Sequence, residues 1–345
     1  MSRSKLSELR VDLPLLPTTA VGSLPKPEAL LKARADFARG NISHEELREA
    51  ERAAVKWWIR KQEELGLDVL VDGEMYRSDM VAYFAEHLSG FEGGGLVRSY
   101  GNRYYHKPII VGEVIPGDPI TVEWWSYAQG LTARPVKGVL TGPYTLMDWS
   151  FNEFYPSRRE ACLALAAAVR QEAEGLIGAG CKIVQIDEPA ISARPEELAL
   201  AIEAMKIVTS DLPAYFITHI CYGDFESIYP KMLDLGVDNF DLEMSNSRAG
   251  LLPLFRKTPF TKDISYGVVD VHSHLVEGPA VAEERLRHGL EVLPLQNVWV
   301  DPDCGLKTRT VEEAIAKLKS VVQAAKALRG YGGQISTPTR SSFSP

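Results

Sequence analysis

Two short strings, Thr218–Cys221 (THIC) and Asp301–Cys304 (DPDC), place His219, Cys221 and Cys304 at the ends of strand-like runs, and Glu243 closes FDLE between them. A borderline-soft cation with a tetrahedral preference takes thiolate, imidazole and carboxylate ligands, so the four residues read as a site for one Zn²⁺ per chain. His219 and Cys221 are two apart on an extended segment, so both side chains project to the same side and form a bidentate clip. Taken singly, each has a plainer role: a buried histidine, small core cysteines, and Glu243 as a partner for Arg248. Together they form a Cys2HisGlu set. Two thiolates and a carboxylate leave the bound ion with one net negative charge, which makes it a poor activator of water. It suits an incoming thiol, which would lose its proton while its sulfur stays nucleophilic. The chemistry indicated is sulfur alkylation.

Other polar residues stand at equivalent places. Glu74 and Asp187 are carboxylates away from the metal set, suited to a substrate ammonium; taken singly, their plainer role is to cap a helix or to pair with Arg77 and nearby lysines. Ser23 follows a glycine, which lets the backbone approach a ligand. His272 is placed to act as a general acid, with His274 as a competing neighbour. Trp149, in MDWSF, is suited to stack a planar ligand or to pack in the core. Cys162 and Cys181 lie in apolar settings and read as inert core thiols. GFEGGG at 90–95 lacks a following GK[ST] and reads as a loop.

Eight strand-like runs must position these residues: 18–23, 68–74, 136–142, 182–188, 214–221, 239–244, 264–272 and 298–304. Helical stretches follow most of them, at 43–66, 156–178, 194–209, 279–292 and 311–328. Strand then helix, repeated in this way, predicts an α/β fold of the (β/α)8 TIM-barrel type, whose active site lies at the C-terminal ends of the strands. The candidate residues obey that rule. Within one catalytic domain spanning 1–329, alternating apolar residues on both sides of Pro116-Gly117-Asp118 predict a β-hairpin inserted between strands 2 and 3, at about 96–134. The segment 330–345 lacks an apolar period and reads as a disordered tail.

Composition narrows the class of function. The chain has 345 residues, 45% of them apolar, and a net charge of −8, which argues against a general nucleic-acid binder. The opening MSRSKLSELRVDLP has no apolar core of a signal peptide, and no run is long enough to span a bilayer. Four cysteines in a chain this long are no disulfide framework. The expectation is a cytoplasmic protein with small-molecule substrates and no membrane partner.

The strings TTAVGSLP, VDGEMYRSDMVAYF, VKGVLTGPYTLMDWSF, VQIDEPA, THICYGDF, DLEMSNSR, VVDVHSHL and VDPDCGLKTR cover nearly all of 18–328. In them the chain resembles the catalytic C-terminal domain of cobalamin-independent methionine synthase. The resemblance implies that His219, Cys221, Glu243 and Cys304 ligate zinc, and that Ser23, Glu74 and Asp187 bind the amino-acid part of homocysteine or methionine. It likewise implies His272 as proton donor and places Trp149 on the folate side. The long enzyme of this family has a related N-terminal barrel that helps bind methyltetrahydrofolate polyglutamate, and this chain begins where the catalytic barrel begins. The expectation is therefore a single-barrel core methionine synthase whose donor is methylcobalamin or a methylated corrinoid protein. With cob(I)alamin as leaving group, His272 would matter less. The alternatives are 5-methyltetrahydrofolate as donor, a thiol alkyltransferase such as an epoxyalkane:coenzyme M transferase, or a zinc-binding regulatory protein without turnover.

Overall fold

The computed structural model describes residues 2–98, 104–221, 225–246 and 250–330. Six parallel strands run side by side in the order Val298–Pro302, Asp263–Val269, Asn239–Leu242, Tyr215–Ile220, Ile183–Asp187 and Gly138–Thr141. Every residue of these strands is buried, as expected for parallel strands covered on both faces. Two shorter segments close the ring. Thr18 bridges Val300 in parallel, and its carbonyl accepts the N–H groups of Asp68 and Val69 at 3.0 Å. Leu70 in turn bridges Val136, on the lead-in to Gly138–Thr141. The eight positions of the expected barrel are all present, six as strands and two as single bridges.

Helices form the outer layer, and their ends carry the signals that start and stop them. His44–Leu65 begins on a capping box between Ser43 and Glu46 and ends at Gly66, whose φ of 91° is open to glycine at little cost. Val311–Arg329 begins on an equivalent box between Thr310 and Glu313. The short helix Ser2–Glu8 sits under the opposite end of the ring. Leu6 and Val11 pack there with Val69, Ile183, Tyr215, Ile217 and Trp299, most of them at the N-terminal ends of strands.

The insertion after the second barrel segment differs from the expected hairpin. Leu88–Glu92 pairs antiparallel with Ile109–Pro116, and Leu96–Arg98 with Tyr104–His106. Phe151–Asn152 adds a parallel edge to the first pair. Pro116 ends a strand, and the expected second arm folds as the helix Val122–Gln129. The reason lies in what that segment buries. Trp124, Trp125 and Ala128 are buried together, with Trp124 stacked on Tyr76 at 4.5 Å and Trp125 Nε1 donating to Val136 O at 2.9 Å. Glu172 Oε2 accepts Ile120 N at 2.9 Å, and its other oxygen takes Thr121 N at 2.6 Å, which anchors the start of the helix. The predicted tail beyond Gly330 and the proposed partner Arg248 lie outside the described residues. Among the described residues no helix is long and apolar enough to cross a membrane.

Candidate active site

The strand C-termini converge on a cavity of about 880 Å³. Ser23, Glu74, Trp149, Asp187, His219, Cys221 and Cys304 all line it. His219 is the penultimate residue of Tyr215–Ile220, Cys221 follows that strand directly, and Cys304 lies two residues past Val298–Pro302. The ligand atoms of these three lie within 4.8 Å of one another. His219 Nε2 is 3.3 Å from Cys304 Sγ, while its Nδ1 faces Asp241 Oδ1 at 3.0 Å. A buried carboxylate on one imidazole nitrogen fixes the ring so that the other presents its lone pair to an ion. One nitrogen and two sulfurs, with His219 and Cys221 buried and Cys304 half-buried, fit a zinc ion.

The three donors act on one another's protonation. A hydrogen bond from Cys221 holds the Cys304 thiol well below its usual range against the effect of burial, and His219 adds to the lowering. Cys221, the donor, is raised by that bond and by burial. For His219, burial opposes protonation, but Asp241 and Cys304 outweigh it and raise its pKa. Glu243, which follows Asn239–Leu242, stands outside the three-residue cluster. Its Oε1 lies 3.2 Å from His272 Nε2, while its charge still reaches Cys221.

The loops that carry these residues are tied to one another. Buried Asp303, beside Cys304, accepts Met244 N at 3.1 Å, Ser245 N at 2.9 Å and Asn246 N at 2.6 Å, which joins the Glu243 loop to the Cys304 loop. His272 lies beyond Asp263–Val269 rather than on that strand, with its N–H on Asp270 Oδ1 at 2.7 Å. Strand alternation therefore does not apply there, and His274 turns to solvent with Nδ1 on Glu313 Oε1 at 2.8 Å. The hydrogen bond to Glu243 raises the pKa of His272 against the opposing effect of burial.

On the opposite wall, Glu74 adopts a φ of 57°, the left-handed conformation that non-glycine residues rarely take. Gly22 allows it to approach, because a Cβ at that position would lie 2.9 Å from Glu74 Oε1. Asp187 is held by Gln185 Nε2 at 2.7 Å, and the same nitrogen donates to Val21 O at 2.9 Å. Burial pushes the Asp187 pKa up to about 7, and neighbouring Glu74 adds to the rise while His219 opposes it. Two carboxylates so placed favour a cation between them. Trp149 faces Tyr105, with ring centroids 5.8 Å apart, on the side roofed by the insertion.

Asp241, Asp303 and Tyr105 escape the sequence reading. Asp241 was visible in FDLE, two residues before Glu243 and on the same side of an extended strand. A search for ligands alone passes over the carboxylate that orients one.

The chain matches the family model described as cobalamin-independent synthase, catalytic domain, over residues 16–327. It is 42% identical over 340 residues to the 5-methyltetrahydropteroyltriglutamate–homocysteine methyltransferase of Nitrosomonas europaea, covering 95% of this chain and 45% of that protein. The enzyme of the same name from Buchnera aphidicola is 41% identical over 339 residues, with the same coverage. The chain thus spans about half the length of these relatives. A B12-independent methionine synthase from Shewanella sp. W3-18-1, solved with selenomethionine, superposes with a TM-score of 0.82 at 26% identity. That match covers 92% of this chain and 98% of the other. These matches overturn the expectation of methylcobalamin or a corrinoid protein as donor, cofactor or partner, because the family is cobalamin-independent. That expectation rested on the extent of the chain and on no residue of the site.

Proposed function

The chain belongs to the family of cobalamin-independent methionine synthase catalytic domains, and we propose that it transfers a methyl group from a 5-methyltetrahydropteroyl donor to the thiol of homocysteine, giving methionine. The observation that carries this reading is one cavity holding His219, Cys221 and Cys304 beside the paired carboxylates Glu74 and Asp187. His219, Cys221 and Cys304 would hold zinc, and Glu243, at the end of a neighbouring strand, is proposed as the fourth ligand. Zinc bound there supplies a soft, electron-rich centre that lowers the pKa of a substrate thiol without quenching its nucleophilicity.

The remaining steps belong to the residues of the chain. Glu74 and Asp187 take the ammonium of the amino acid, and Ser23 stands beside them on the cavity wall. Their burial excludes water, which strengthens each of these contacts. Trp149 and Tyr105 offer aromatic surface to a planar donor. The homocysteine sulfur attacks the N5-methyl carbon, so an S–C bond forms as the C–N5 bond breaks and its electron pair stays on N5. An amine nitrogen leaves poorly without a proton, and His272, whose protonated form Glu243 favours, is the proposed proton source. The four free cysteines support a cytoplasmic setting, where thiols stay reduced.

A donor panel tests the reading. Homocysteine supplied with 5-methyltetrahydropteroyltriglutamate should yield methionine, scored by mass, and with methylcobalamin it should not. A zinc-loaded chain that leaves homocysteine unmethylated with the pteroyl donor overturns it.

A further inference from the structure

The barrel interior beneath the cavity holds an ammonium group that the chemistry above does not use. Lys137, only 2% exposed, directly precedes the strand Gly138–Thr141. Its neighbour Gly138 faces the helical layer, where a Cβ would lie 2.8 Å from Leu176 Cδ1, so alternation turns Lys137 inward. There its Nζ donates to Oε1 of Gln185, a fully buried residue of the strand Ile183–Asp187. Burial opposes the charge on Lys137, and the fully buried carboxylates Asp241 and Asp301 favour it.

Gln185 carries that contact to the substrate wall. Its Nε2 donates to Asp187 Oδ1 at 2.7 Å and to Val21 O at 2.9 Å, and both Asp187 and Val21 line the cavity. A side-chain amide has a donor end and an acceptor end, and a half-turn about its last bond exchanges them. Turned the other way, Gln185 would set its oxygen against a carboxylate and a carbonyl, and its nitrogen against an ammonium. Lysine donates and never accepts, so Lys137 selects the orientation in which the amide grips Asp187.

We propose that Lys137 is a positioning residue for the amino-acid substrate: from the barrel interior it fixes the Gln185 amide, which holds the Asp187 carboxylate in place for the substrate ammonium. This rests on the functional reading above and adds to it a residue that acts only through another. The same amide ties Val21, on the first barrel segment, to the strand that carries Asp187, so the relay also sets the distance between two walls of the cavity.

Calorimetric binding to the zinc-loaded full chain tests the relay without requiring turnover. The probes are homocysteine and γ-mercaptobutyrate, which is homocysteine without its amino group. Lys137→Met should weaken homocysteine by about three- to tenfold, the range for one hydrogen bond, and leave γ-mercaptobutyrate unchanged. A general loosening of the barrel would weaken both. Gln185→Met should give the same selective loss, and the double variant should lose no more than either single one, because the two residues act in series. Zinc content checks the fold. If Lys137→Met does not fold, Lys137→Met combined with Asp301→Asn removes one charge of each sign from the interior and should show the same pattern. Unchanged homocysteine affinity, equal losses for the two probes, or additive losses in the double variant overturn the inference. A wild type that binds homocysteine no more tightly than γ-mercaptobutyrate overturns the ammonium site of the functional reading, and this inference with it.

Discussion

Cys221 and Cys304 supply two of the three converging donors, so replacing either by Ser should remove most of the zinc measured by atomic absorption. Asp241→Asn should keep the ion but weaken it by about ten- to a hundredfold in a competition titration, the usual effect of losing the group that orients a histidine ligand. Full affinity in that variant would mean that the 3.0 Å contact with Nδ1 has no orienting role. Glu74→Gln and Asp187→Asn should each weaken homocysteine by about 1.5 to 3 kcal/mol, with zinc content intact. Unchanged affinity in both would remove these carboxylates from the ammonium site. At this scale the sequence was most legible where chemistry restricts residue type. A His-x-Cys pair at a strand end has few roles.

The barrel strands were legible because burial on both faces turns them into short apolar runs bounded by turn residues. The insertion was misread for a related reason. ITVEWWSYAQ alternates well enough for a strand, yet it also places Trp124, Trp125 and Ala128 on a buried helical face, and tertiary contacts with Tyr76 and Glu172 decide between the two. His272 was placed on a strand that stops at Val269, and its loop is held by a residue from a distant helix. Lys317, fully buried on Val311–Arg329, donates to Asp270 O at 2.7 Å, to Glu277 Oε2 at 2.8 Å and to Leu275 O. Lys317→Met strands those acceptors and should destabilise the protein by about 3 to 5 kcal/mol, the range for breaking a buried pair. Amide exchange in 270–277 should accelerate in parallel. A loss below about 1 kcal/mol in denaturant melts would show that Arg285, also on Glu277 at 2.9 Å, holds the loop alone.

The metal set also acts on the molecule as a whole. Its ligands come from Tyr215–Ile220 and from the loop after Val298–Pro302, two strands separated in the ring by Asn239–Leu242 and Asp263–Val269. No backbone ladder joins them directly, so an ion shared by His219, Cys221 and Cys304 braces an arc of the barrel that is otherwise held only through its neighbours. An ion bound by the folded state alone stabilises that state by mass action, about 4 kcal/mol when free metal is a thousandfold above its dissociation constant. Unfolding entropy of about 2.1 cal/mol/K per residue, over 345 residues, amounts to about 0.7 kcal/mol/K. Stripping zinc with a chelator should therefore lower the Tm by about 6 °C in scanning calorimetry. Cys221→Ser should already melt near the lower temperature and should not respond to chelator. A wild type whose Tm is indifferent to chelation, while its zinc is demonstrably removed, would separate the ion from the stability of the barrel and leave it a role in the thiol chemistry alone.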